Sequence, residues 1–325
     1  MAKQESAVSV EELGKNADDL LGLELAEQLR GKFRRMALSD GFMFGEVMRD
    51  ASLCVPFLEK LLGVQIDHVE YLTKEKDISD SFTGHGIRVD IYLKDGKGTI
   101  YSIEMDTSGS GSAYRLRIRF YQGTIDRNNL EKGKDYTKLP RTFLIIISTE
   151  DFFRKGLAVY KRKMLMEGYQ DPDGEVRIED FAYEDGTALY ILNANYTIGN
   201  ADKEILQFLD CIHLNDTNPD RYDSPWMKGV CRKIEEVRDD PAEEVYYMGL
   251  SVIMMDERRK GREEGRKEGL EEGLEKGLEK GAIINTVDIY RNEMGFDDRT
   301  IIDKLIAKFN LTYHDAAGYV LPRSA

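Results

Sequence analysis

The spacing of apolar residues changes character several times along the chain, and each change marks a unit. A weakly amphipathic stretch (Leu20, Leu21, Leu23, Leu25, Leu29) reads as a helix in polar surroundings, and residues 1–35 read as an N-terminal appendage. From Ser39 the pattern sharpens. Ser39 or Asp40 is placed to cap a helix whose apolar face takes Phe42, Phe44, Val47 and Met48. Pro56 marks a second helix start, followed by Phe57, Leu58, Leu61 and Leu62, with Gly63 as the stop.

Three strand-like segments follow, Gln65 to Leu72, Ile87 to Leu93 and Thr99 to Met105, and the turn sequence Asp95-Gly96-Lys97-Gly98 joins the last two as a hairpin. Helical spacing returns at Tyr114, Ile118, Tyr121 and Ile125, with Arg115, Arg119 and Gln122 on a neighbouring stripe. Thr142 to Ser148 (TFLIIIS) is a continuous apolar run, the mark of a strand buried on both faces. Helix, three strands, helix, strand is the order of an α/β fold. Beyond residue 150 a mixed segment leads to a short strand at Ala188 to Leu192. Helices near Ala201 to His213, Pro225 to Arg238 and Ala242 to Arg258 then give a helical C-terminal half. The division is 1–35, 36–195 for the α/β domain, 196–258 for a helical extension, 259–281 for a charged glycine repeat and 282–325 for a small helical tail.

The repeat places glycine at every fourth residue from Gly261 to Gly281, with Glu, Lys, Arg and Leu between. In a helix each glycine costs about 1 kcal/mol relative to alanine, so a helix here needs a compensating partner. A four-residue step advances about 400°, which lines the glycines into a slowly winding ridge beside Leu270, Leu274 and Leu278. Such a ridge suits self-association into a homo-oligomer; a solvated linker is the competing reading.

Composition narrows the function. With 41% hydrophobic and 33% charged residues and a mean hydropathy of -0.48, the chain is a globular protein with a highly charged surface. No run approaches the roughly 20 apolar residues of a bilayer-spanning helix, so no membrane role is expected. The N-terminal residues carry no secretory pattern and the three cysteines are scattered, which points to reduced thiols in the cytoplasm and away from a zinc site. A net charge of -14 excludes a surface that is basic throughout, so any nucleic-acid contact must be local. Ala113 to Arg141 offers one, with eight basic against three acidic residues.

The candidate chemistry lies in the hairpin. If register follows hydrophobicity, Val89, Ile91 and Leu93 share one face with Tyr101, Ile103 and Met105. Asp90 then falls opposite, with Ser102, Glu104 and Asp106, and a loop from Gly96 to Gly98 sets Asp90 directly across from Glu104. Two carboxylates on adjacent strands can share a divalent cation, whose remaining positions go to water and phosphate. On pattern alone, the solvated face of an amphipathic hairpin is the plainer reading.

The joined pattern FRRMALSDGFMF, GIRVDIYLKDGKGTIYSIEMD, YRLRIRFYQGTID with LEKGKDY, then FLIIIST, resembles the recombination-promoting nuclease and transposase family of the PD-(D/E)XK superfamily. With the later helices and EEGLEKGLEKG, the resemblance spans roughly residues 33–281. It implies a restriction-endonuclease-like αβββαβ core and a metal-dependent DNA endonuclease that promotes recombination or serves a mobile element. Asp90 matches the motif aspartate and Glu104 the motif glutamate, and both are implied to bind Mg²⁺, with Mn²⁺ as the substitute. Asp106 takes the next catalytic position, where the superfamily usually has Lys and this family often Gln; an ionised acid cannot donate the hydrogen bond that orients the attacking water. Asp106 is thus either a third ligand or the sign of a weakened copy that acts as a DNA-binding or assembly module. Tyr121 and Gln122 match the family's YQ pair; Gln122 is assigned to the catalytic site, and Arg115, Arg119 and Tyr121 to DNA. Asp40 lies in the first helix motif and reads chiefly as an N-cap.

Overall fold

A mixed six-stranded sheet organises the larger unit of the computed structural model, which describes residues 22–78, 87–107, 113–166 and 181–321. Helices α1 (Leu23–Arg34), α2 (Gly41–Met48) and α3 (Ala51–Leu62) precede β1 (Val69–Ile78), β2 (Ile87–Asp95) and β3 (Ile100–Asp106). Helix α4 (Ala113–Asn129) leads to β4 (Thr142–Ser148), and β5 (Val159–Lys161), β6 (Leu165–Met166), β7 (Phe181–Ala182) and β8 (Thr187–Asn193) follow. The sheet order is β1-β2-β3-β4-β8-β5, with β6 and β7 as a separate pair. β1, β2 and β3 are mutually antiparallel, whereas β3, β4 and β8 run parallel. This is the α/β fold with the αβββαβ order and a helical C-terminal half, consistent with the PD-(D/E)XK fold. Helices α5 (Lys203–Leu214), α6 (Pro225–Asp239), α7 (Pro241–Asp288), α8 (Asp298–Phe309) and α9 (Tyr313–Val320) complete the chain.

One face of the sheet carries the main core. Ile91, Leu93, Ile103, Ile145 and Leu192 pack there against Phe33 of α1, Phe44 of α2, Phe57 of α3, Phe208 of α5 and Ile234 of α6. Burying each such side chain contributes roughly 1.5–3 kcal/mol, which makes this face the principal source of stability. The other face is covered by α4, whose Ile118 and Ile125 meet Leu144, Ile146, Val89 and Ile100. β4 is apolar on both sides because both faces are covered, as its unbroken run predicted.

Three elements differ from the sequence reading. α3 starts at Ala51 rather than at Pro56, because Asp50 caps it by accepting the Ser52 N–H at 2.9 Å; Pro56 sits inside the helix. β1 extends to Ile78 although Lys74, Glu75, Lys76 and Asp77 are polar, since an edge strand pairs through its backbone whatever its side chains. α7 runs on through the whole glycine repeat. Its charged turns are held by pairs one turn apart, including Lys260 with Asp256 at 2.8 Å and Lys276 with Glu272 at 2.5 Å. Leu20 and Leu21 lie outside the described residues.

The chain divides into two units, Met1–Gly249 and Leu250–Ala325. The second has its own small core of Ile283, Val287, Ile301, Ile302, Leu305, Ala316 and Val320. Among the described residues no helix is long and apolar enough to cross a membrane. Cys54, Cys211 and Cys231 are buried free thiols.

Candidate functional site

The β2–β3 ladder has Ile91 opposite Ile103 and Leu93 opposite Tyr101. Continued by one residue, that register sets Asp90 beside Glu104. The ladder stops there because the Asp90 carboxylate replaces the backbone as acceptor: Met105 N–H donates to Asp90 Oδ2 at 2.7 Å. Side-chain alternation in β2 breaks at the same point. Ile91 and Leu93 join the main core with Tyr101, Ile103 and Met105, but Val89 packs with Tyr92, Ile100 and Ile125 on the α4 face. The expected single face for Val89, Ile91 and Leu93 is therefore corrected: a side chain that takes over a ladder hydrogen bond turns its strand.

Helix α2 begins against Asp90. A Cβ on Gly41, its first residue, would stand 3.7 Å from Asp90 Oδ1, an ordinary contact distance, so the carboxylate lies close to the helix's positive end. Asp40 caps that helix by accepting the Phe42 N–H at 3.0 Å.

Glu104 is 9% exposed, and Tyr121 of α4 donates its hydroxyl to Glu104 Oε1 at 3.3 Å. Oε2 is buried with no hydrogen-bond partner among the described residues. Burial, then the Asp90 charge, pushes the Glu104 carboxyl up to about 8, against the opposing pull of the Arg117 guanidinium. Burial and the Glu104 charge likewise push the Tyr121 hydroxyl to about 12, so it remains a donor at neutral pH.

Asp106 is 2% exposed, and Arg117 Nη2 donates to its Oδ2 at 2.6 Å. The Arg117 guanidinium carbon also stands 5.6 Å from the Tyr121 ring centre, and these two residues occupy one flank of α4. No set of three or more His, Cys, Asp or Glu side chains among the described residues forms a ready-made metal cluster. Asp90 and Glu104 stand at neighbouring strand positions, and Asp106 is engaged by Arg117.

Gln122 is not brought to this pair. Its amide donates along its own helix to Asp126 Oδ1 at 2.9 Å, because α4 turns Tyr121 inward and carries the next residue to the adjacent flank. Arg115 and Arg119 are exposed on that second flank, where they line a groove with Gln122. Tyr121, assigned to DNA from the sequence, instead directs its hydroxyl at Glu104. Arg117 is the residue that sequence reasoning left out; in a run of arginines at alternate positions, nothing marks the one that faces a buried acid.

No curated protein and no solved structure matches the chain. Residues 41–172, from the first residue of α2 through the hairpin, α4 and β4, match the family described as PD-(D/E)XK nuclease family transposase.

Proposed function

We propose that this protein is a divalent-metal-dependent DNA endonuclease associated with recombination or a mobile element. The observation that carries the reading is Glu104 Oε2, a buried carboxylate oxygen without a partner, beside the Asp90 carboxylate at the open end of a strand ladder. A buried acid held in this state is costly unless a cation completes it. Asp90 and Glu104 would hold the ion, and two carboxylates leave positions for water and phosphate oxygens, as Mg²⁺ and Mn²⁺ require. When bound, the ion supplies an activated water and offsets the charge that develops on the phosphate.

The remaining roles fall to the chain's own groups. Tyr121 fixes the Glu104 carboxylate through Oε1 and leaves Oε2 for the cation. Asp106 holds Arg117 in place, so the positive charge that the superfamily carries on a Lys in the strand comes here from α4. Arg117 then faces the substrate phosphate as a fixed cation.

A second reading is favoured by one observation. Asp106 stands where a Lys or Gln is usual and its charge is used in an ion pair, as expected of a nuclease fold that has lost chemistry and retains DNA binding or assembly. Supercoiled plasmid separates the two. The endonuclease nicks it with Mg²⁺ or Mn²⁺ and loses this in Asp90→Ala and Glu104→Ala; the binding module retains DNA without nicking, and Asp106→Gln restores cleavage. The homo-oligomer belongs with either reading, through the glycine ridge of α7, beside which Leu270, Leu274 and Leu278 are exposed.

A further inference from the structure

The second flank of α4 borders a groove of about 1370 Å³ on the sheet face away from the main core. Its floor is apolar, formed by Ile118 of α4 with Leu189 and Ile191 of β8. Its walls are basic. Arg115 and Arg119, one helical turn apart, stand on the α4 side, and Arg154, Lys155 and Arg162 stand on the other; Lys161 instead lies over the Tyr190 ring on the opposite face. None of these five cations makes an ion pair with a carboxylate among the described residues, in a chain whose net charge is -14.

Three of the four acids that line the groove are held by hydrogen bonds, and Glu150 is the fourth. Asp151 accepts the Gly156 N–H at 2.7 Å, the Tyr160 hydroxyl at 2.9 Å and the Phe153 N–H at 3.1 Å. Asp185 takes the Thr187 N–H and hydroxyl, and Asp126 takes the Gln122 amide. The Asp151 bonds also fix the loop that presents Phe153, Arg154 and Lys155. Gly156 makes its turn at φ +72°, where a Cβ would overlap Thr197 Oγ1, so the loop is built for one conformation. Phe153 is 37% exposed, with its ring centre 4.7 Å from that of Tyr160.

We propose that this groove binds a single-stranded segment of nucleic acid, its phosphates on the two basic walls and an unpaired base against Phe153 and the apolar floor. The inference rests on the DNA reading above for the choice of polymer. A duplex would offer only phosphates and leave the apolar floor and the aromatic pair unused, whereas an unpaired nucleotide offers an anion and a planar apolar face together. The same helix thus serves two neighbouring tasks. Arg117 and Tyr121 face the paired carboxylates, while Arg115 and Arg119 guide a strand that is not stacked in a double helix.

The test is fluorescence anisotropy with the full-length chain in EDTA, using a fluorescein-labelled oligothymidine of about 15 nucleotides and the matching duplex. The single strand binds more tightly than the duplex, and its affinity falls steeply with salt. Phe153→Ala weakens single-strand binding by about tenfold and leaves duplex binding nearly unchanged, while Phe153→Trp restores it. Arg119→Glu with Arg162→Glu lowers affinity further and flattens the salt dependence. Equal affinity for the duplex, equal competition by poly-glutamate, or indifference to both sets of substitutions overturns the proposal. Without divalent metal the assay does not depend on cleavage. Nicking by a protein that fails it refutes the groove alone, and binding by a protein that never nicks refutes the endonuclease alone.

Discussion

The Glu104→Gln substitution tests the electrostatics of the carboxylate pair in a stability measurement. In the metal-free protein the Glu104 carboxyl is raised from an ordinary 4.5 to about 8, first by burial and then by Asp90. Between those pH values the folded protein keeps a proton that the unfolded chain releases. The stability from this group is therefore fully present below pH 4.5 and is lost as pH rises through about 8. The interval corresponds to about 5 kcal/mol as a ceiling. Relaxation and water entry reduce this to roughly half, because effective protein dielectrics exceed those of a dry interior. For a unit of this size about 2.5 kcal/mol is roughly 5–10 °C in Tm. The assay is thermal unfolding at pH 5.5 and pH 8.5 for the wild type and Glu104→Gln, with and without Mn²⁺. Starting from pH 5.5 only about 2.5 of the roughly 3.5 pH units are crossed, so the wild type loses roughly 1.7 kcal/mol, about 3–7 °C, more than the variant on going to pH 8.5. Mn²⁺ at about 100 times its Kd returns about 2.7 kcal/mol to the wild type and nothing to the variant. A Gln variant that loses stability with pH as the wild type does would refute the reasoning.

Arg117→Gln removes the ion pair to the buried Asp106 carboxylate and costs about 2–3 kcal/mol in urea unfolding, discounted because the guanidinium is about one third exposed. Asp106→Asn in the same chain recovers most of it, and additive losses in that double-mutant cycle would deny the pair. Asp40→Ala removes the cap of α2 and lowers stability by about 1 kcal/mol by the same measurement; no change would deny that the Asp40 bond to Phe42 N–H contributes. In light scattering coupled to gel filtration, Leu270→Glu, Leu274→Glu and Leu278→Glu together lower the measured mass from oligomer to monomer, and a wild type that is already monomeric removes the glycine ridge as an interface.

The strongest sequence signals were those in which pattern and burial coincide. TFLIIIS could be read as β4 because a strand covered on both faces needs no polar alternation. The hairpin register was legible because Asp95-Gly96-Lys97-Gly98 sets the turn, and a slip by one residue would take Ile91, Leu93, Tyr101 and Ile103 off the main core. What stayed hidden came from contacts distant in sequence. Val89 changes face through the hydrogen bond between Asp90 and Met105, fifteen residues away. Pro56 looked like a helix start, but Asp50 supplies a cap six residues earlier. Lys74 to Asp77 hide the end of β1, since pairing at an edge leaves no hydrophobic trace. Arg117 is inconspicuous between Arg115 and Arg119, and only the packing of α4 on β3 selects it for Asp106.

Anomalous diffraction from crystals soaked in Mn²⁺ tests the metal-binding proposal most directly. The prediction is one strong peak about 2.1 Å from carboxylate oxygens of both Asp90 and Glu104, lost in a Glu104→Ala crystal. A soaked wild-type crystal with no density between those two side chains, or with its only manganese elsewhere, would contradict it.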